Sequence, residues 1–135
     1  MTTGLSTGLV SGWLNTLRST GNGGTAYNAV AGTFVQLHTG DPGAAGTANV
    51  SAGSTTRNSF VFSGSTAGSA LSMATPPTSW TNGGTSESIS HISVWTASTA
   101  GSLEFTAALT TPKTWASGDA FNLTTLTMSQ GPQAQ

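Results

Sequence analysis

"ISHISVWTASTAGSLEFTAAL", residues 89–109, carries two runs of period-two alternation joined by a turn at Ala100-Gly101. Over 102–109, Leu103, Phe105, Ala107 and Leu109 face one way, and Ser102, Glu104, Thr106 and Ala108 the other. That pattern predicts a strand packed on one side and wet on the other. Over 89–96, Ile89, Ser93 and Trp95 share a face with His91, while Ile92 and Val94 take the opposite face. Both faces are partly apolar, so this strand is expected to be central.

Working outward, further strands are expected at 33–38, 57–63, 69–74 and 120–128, with the two above spanning 88–97 and 102–109. In 121–128 the apolar phase changes between Leu123 and Leu126, which predicts a bulge near Thr124 and Thr125. Turn signals separate the segments: Asp41-Pro42-Gly43, Ser63-Gly64, Pro76-Pro77, Asn82-Gly83-Gly84 and Ser117-Gly118-Asp119. Short strands at such spacing predict a mainly β chain, an antiparallel β-sandwich of jelly-roll or Ig-like kind.

Only residues 5–18 carry a helical period. Leu5, Leu9, Trp13 and Leu17 lie four apart, with Val10 and Leu14 beside them. Thr2, Thr3 or Ser6 is the expected cap, and Gly8 and Gly12 make a small-residue face that either allows close approach to a sheet or simply weakens the helix. The expected organisation is an N-terminal amphipathic helix over 1–20, a linker over 21–32, a sandwich over 33–130 and a short tail over 131–135.

Composition narrows the function. Charged residues are 5% of the 135, against roughly 25% in an ordinary soluble domain, while Thr and Ser number 25 and 19. The only cations besides histidine are Arg18, Arg57 and Lys113, too few for a phosphate-binding face or an anionic membrane surface. No nucleic acid and no membrane partner is expected. There is no cysteine, so no disulfide framework and no thiolate metal site. The N-terminus, "MTTGLSTGLV", reads as lacking a Sec-type signal.

His38 and Asp41 form the first candidate for chemistry. A His-x-x-Asp pair serves a metal or a base elsewhere, with His91 as a further ligand. Against this, a metal needs three or four ligands, and the other carboxylates are only Glu87, Glu104 and Asp119. Asp41 before Pro42 and Gly43 is also an Asx-type corner, with His38 closing it onto a backbone group. No G-x-S-x-G elbow, P-loop or dinucleotide fingerprint occurs.

The tryptophans offer a second candidate. Trp80 and Trp115 with Tyr27 suit a sugar-stacking platform, joined by Trp95. The competing and favoured reading puts Trp13 and Trp95 in the core and has Trp80 and Trp115 plug the ends of the sandwich.

"LHTGDPGAAGTANV", then "TTRNSF", then the opening stretch, then "SGDAFNLTTLTMS" resemble a family of small virion proteins of tailed bacteriophages. Its members are labelled minor tail, tail fibre or head decoration proteins, many from phages of actinobacteria. Leu37, His38, Thr39, Asp41 and Pro42 match its first motif, Arg57 its arginine, Trp95 its strand-ending tryptophan, and Gly118 and Asp119 its late turn. Asn49 stands where a Glu is frequent and Thr56 where a Tyr precedes the Arg; if that Glu pairs with the Arg in the family, Arg57 must find another partner here.

The resemblance implies a structural role without catalytic residues, and with it His38, Asp41, Pro42 and Gly43 resolve to a corner. The expected protein is a non-enzymatic part of the virion, made in the host cytoplasm. It packs with copies of itself and with phage capsid or tail proteins, and needs no cofactor or metal. The alternative is a carbohydrate- or receptor-binding module for a host-surface glycan.

Overall fold

The computed structural model describes residues 3–16, 30–64 and 70–129. Among them the chain is mainly β, with β1 Gly4–Leu5, α1 Thr7–Thr16, β2 Phe34–His38, β3 Asn58–Ser59 and β4 Val61–Phe62. There follow β5 Ala70–Thr75, β6 Trp80–Thr81, β7 Glu87–Trp95, β8 Leu103–Trp115, β9 Ala120–Phe121 and β10 Thr127–Ser129. All pairings are antiparallel. A five-stranded sheet runs β1-β8-β7-β2-β3, a three-stranded sheet β10-β5-β4, and β6 pairs β9.

The β7–β8 hairpin is the spine, and β7 is central, as its two apolar faces require. Val35 and Leu37 of β2, Ile92 and Val94 of β7 and Phe105 of β8 supply one wall of the core. Phe62, Met73 and Met128 from the three-stranded sheet pack against that wall, so the core lies between two sheets. Each fully buried aliphatic chain here contributes about 1.5–3 kcal/mol relative to exposure.

The expected strand 57–63 is two short strands in different sheets. β3 pairs β2, β4 pairs β5, and the chain crosses between the sheets at Phe60. Phe60 N donates to Thr33 O at 3.0 Å and Thr33 Oγ1 donates to Phe60 O at 2.6 Å, fixing the crossing. The expected strand 120–128 is likewise broken, into β9 and β10, around the residues where the apolar phase changes.

The face assigned to Glu104 requires correction. Trp95 opposes Leu103 but Val94 opposes Phe105, so Glu104 is an extra residue, a bulge in β8. It is 6% exposed rather than wet, and Thr106 beside it is buried under β1, with Gly4 N donating to Thr106 Oγ1 at 3.2 Å. A second register shift sets Leu109, Thr110, Thr111 and Pro112 of β8 against Ser90 alone. Ile89, before this shift on β7, is fully buried and belongs to the same core cluster as Ile92 and Val94. The shift also carries β8 on to Trp115, beyond the expected end at 109.

Ser6 caps α1: its Oγ accepts from Leu9 N at 3.2 Å, and its own N donates to Glu104 O at 2.7 Å. Leu9 and Trp13 are half-buried, whereas Leu5 belongs to β1 and is 41% exposed, and Leu14 is 59% exposed. Leu17, Arg18 and the expected linker up to residue 29 lie outside the described residues, as does the tail.

Candidate functional site

The back of the five-stranded sheet carries Gln36, His38 and Ser93, all buried although polar. The segment 39–57 folds over them. Asp41 Oδ1 accepts from Gly43 N at 2.9 Å, and Gly43 takes φ 72°, a left-handed conformation that glycine adopts without a Cβ penalty. Asn49 stands at φ 53°, and its Nδ2 donates to Asp41 O at 2.8 Å. Gly46, at φ 70°, sits so close to the sheet that a Cβ there would lie 2.6 Å from Leu103 Cδ1 and 3.0 Å from Trp95 Cζ2.

His38 joins this loop to the sheet. Its Nδ1 lies 2.8 Å from Ala48 O and its Nε2 2.7 Å from Ser93 Oγ. A carbonyl has no proton to give, so Nδ1 donates and neutral Nε2 accepts the Ser93 hydroxyl. Ser93 Oγ in turn accepts from Trp95 Nε1 at 2.7 Å. Burial, against the bond to Ala48, holds the His38 pKa below its ordinary 6.5, with the charges of His91 and Arg57 adding to the fall.

Arg57 finds its partners on the next turn. Nη1 donates to Ala100 O at 2.6 Å and Ala97 O at 3.4 Å, and Nε to Gln36 Oε1 at 3.3 Å. The guanidinium covers the Trp95 ring.

The structure brings His38, Ser93, Trp95 and Arg57 together. It commits Asp41 to Gly43, Asn49 and the corner. A Ser–His pair is half of a hydrolytic triad. Ser93 and His38 are both 0% exposed, so no substrate reaches this pair. Among the described residues no group of three His, Cys, Asp or Glu is placed to hold a metal ion.

The aromatic platform is corrected. Trp80 is 2% exposed and Trp115 0%. Their indole N–H groups donate to Thr56 O at 2.8 Å and Asp119 O at 2.7 Å. Their rings meet Phe121 edge-on, with centroids 6.2 and 6.1 Å away. No open ring face is left for a sugar, because these large side chains fill one end of the core. Tyr27 lies outside the described residues.

Two polar organisers went unread in the sequence. Buried Asn82 donates through Nδ2 to Trp115 O at 2.8 Å and Thr85 O at 3.1 Å, and its Oδ1 accepts from Gly84 N at 2.8 Å. The Glu87 carboxylate accepts from Ser51 Oγ, from Gly53 N at 3.1 Å and from Ala52 N at 3.2 Å. The Asn82-Gly83-Gly84 turn signal was visible, but not the reach of its side chain. On the outside, an open groove of about 470 Å³ lies between the 107–113 stretch of β8 and the 121–127 segment, lined by Leu109, Thr111 and Lys113 on one side and Asn122, Thr124 and Leu126 on the other.

Among curated proteins none matches the chain. The family model described as Podophage GP4 fiber I protein gp80 matches residues 5–130, which takes in the capped helix, the corner, both sheets and the late Gly118-Asp119 turn. A match over all but the first four and last five residues shows that the chain belongs to this podophage fiber I family, among the fibre proteins of phage tails.

Proposed function

We propose that the protein is a non-catalytic building part of the phage tail fibre, present in several copies that pack against one another and against other tail proteins. One observation carries this reading: the side chains with chemical capacity are spent inside the chain. His38 and Ser93 pin the loop 39–57, Asn82 and Glu87 pin the loops around Trp115 and Ser51, and Arg57 pins the β7–β8 turn. What remains outside is mostly threonine, serine and small apolar residues, suited to broad uncharged contact. The family membership supports the same reading. Trp80 and Trp115, two of the three aromatics of the glycan alternative, are buried in the core.

Imaging of intact virions with a label on this chain tests the proposal. Density in several symmetry-related copies along the tail fibre is expected. A single copy without protein neighbours, or a position on the head, would refute it. A panel of ester and glycoside substrates tests the non-catalytic part, and turnover abolished by Ser93→Ala would overturn it.

A further inference from the structure

We propose that the free edge of β8 pairs antiparallel with the same edge of a second copy, on a two-fold axis at Thr110 or Thr111, so that the two five-stranded sheets run on as one. The pairing rests on the reading above, that copies pack against one another, and supplies the strand by which they do so.

Among the described residues, one long stretch of sheet edge is left open. On the far side of the five-stranded sheet, β3 pairs Phe34 and Val35 of β2. Beyond them, Ser51 N donates to Leu37 O at 3.0 Å and Thr39 N to Asn49 O at 2.9 Å, so the corner loop covers the rest of that edge. On the near side β1 reaches only Phe105 and Thr106, which leaves 107–114 without an outer strand. Thr110 to Thr114 are all exposed. On the β7 side, Ser90 alone opposes Leu109 to Pro112, so this stretch is also the least paired part of β8 within its own sheet. The sandwich is likewise shut on one side, by the crossing at Phe60. It is open on the other, where the groove of about 470 Å³ separates β8 from 121–127. A strand laid along β8 roofs that groove and covers Leu109 and Leu126, both only half-buried.

The partner must offer a free run of similar length. Within the described chain β4, β6 and β9 have two residues and β10 three, so the matching edge is β8 itself. Residues opposed across an antiparallel pair are of one kind, both exchanging hydrogen bonds or both turned away. A two-fold axis therefore sets one residue against its own equivalent, and centring it on 107–114 selects Thr110 or Thr111. Opposed threonines are a favourable cross-strand pair. Lys113 then stands four or six residues along the strand from Lys113 of the second copy, about 13–20 Å, beyond the Debye length of ~8 Å at physiological salt. The one charge on the edge is thus no obstacle, and 107–114 holds no acidic group that calls for a basic partner. Pro112 lacks a donor, which costs the ladder a single rung.

The chain has no cysteine, so single substitutions report the pairing. Opposed Cα atoms in an antiparallel pair lie about 4.5–5.5 Å apart, within disulfide reach. Virions carrying Thr110→Cys, Thr111→Cys or Ser59→Cys, the last an exposed position on β3, are oxidised mildly and dismantled without reductant. A chain of twice the monomer mass is expected from Thr110→Cys or Thr111→Cys, and monomer from Ser59→Cys. Monomer from all three overturns the pairing, as does equal crosslinking by Ser59→Cys. Protection of the 107–114 amides from hydrogen exchange on virions, without a crosslink, would put a different protein on the edge and overturns it too. Failure of the crosslink in virions whose imaging shows several copies overturns the β8 pairing alone and leaves the fibre reading standing.

Discussion

The Arg57 guanidinium carbon lies 3.7 Å from the centroid of the Trp95 ring, joining the strand that leaves the corner loop to the end of the central strand. The same group donates to Ala97 O and Ala100 O, and Ala100 holds the positive φ of 56° that closes the β7–β8 turn. Arg57→Ala removes both roles. The expected loss is about 2–4 kcal/mol, from a cation–π contact of ~1–2 and charge-assisted bonds to carbonyls of ~1.5–3 that do not add fully. Arg57→Lys should recover less than half, since an ammonium cannot stack flat and reach two carbonyls in one plane. Denaturant midpoints of the three proteins check the order.

His38 predicts acid sensitivity of the corner. Its pKa is lowered in the fold, so the native chain keeps the ring neutral while the unfolded chain protonates near 6.5. Stability is therefore full above 6.5 and falls as pH drops below it toward the folded value. Protonation would give Nε2 a proton facing Ser93 Oγ, which already accepts from Trp95, and the buried chain of bonds would break. Burial pushes the Glu104 pKa up to about 7, which tilts stability in the opposite direction over part of that range, so Glu104→Gln is the background in which to measure. In that background the urea midpoint should decline below pH 6.5, and adding His38→Gln should flatten it. A flat profile before the second substitution would contradict the assignment.

Two glycines should respond to alanine with opposite signs. Gly8 is helical and has open space where a Cβ would sit, so Gly8→Ala should stabilise by about 1 kcal/mol through helix propensity. Gly46 combines φ 70° with a site where a Cβ would lie 2.6 Å from Leu103 Cδ1, so Gly46→Ala should destabilise by about 2–4 kcal/mol. Thermal unfolding of the two variants gives the signs. Equal signs would mean that the loop 39–57 does not press on Trp95 and Leu103 as described.

The alternation in 89–109 was enough to read the β7–β8 hairpin, because side chains on a strand alternate whatever surrounds it. It did not reveal the bulge at Glu104. An extra residue leaves the letters unchanged and alters only which neighbour each one faces. The polar face of β8 looked wet for a related reason: β1 and α1, distant in sequence, cover it. Leu5, Leu9 and Trp13 were legible as one stripe, yet the chain splits them between a strand and a helix. The corner at Asp41-Pro42-Gly43 is local chemistry and was legible. The reach of His38 to Ser93 was not, since it spans 55 positions in the sequence and depends on register. Trp80 and Trp115 illustrate the limit most plainly, because nothing in the letters distinguishes a stacking face from a core plug.

The proposed packing between copies should resist salt. β8 is paired along its outer edge only at Phe105 and Thr106, by β1, among the described residues. From Ala107 to Thr114 that edge offers backbone groups together with Thr110, Thr111 and Thr114, and Lys113 is its one charged residue. Pro112 removes one donor there, and Lys113 discourages indiscriminate pairing, the usual guards of an open edge. An interface built on hydroxyls and backbone bonds contains almost no charge pairs to screen. Raising the salt shortens the Debye length from ~10 Å at ~0.1 M to ~3 Å at ~1 M, which removes long-range charge attraction and leaves hydrogen bonds and apolar contact in place. Occupancy on purified virions, or assembly of the isolated protein by sedimentation, should therefore stay constant across that range. Thr111→Glu places a carboxylate on the edge and should weaken assembly without lowering the unfolding temperature, because Thr111 is exposed. Release at raised salt, or full assembly by Thr111→Glu, would show that β8 is not where the copies meet.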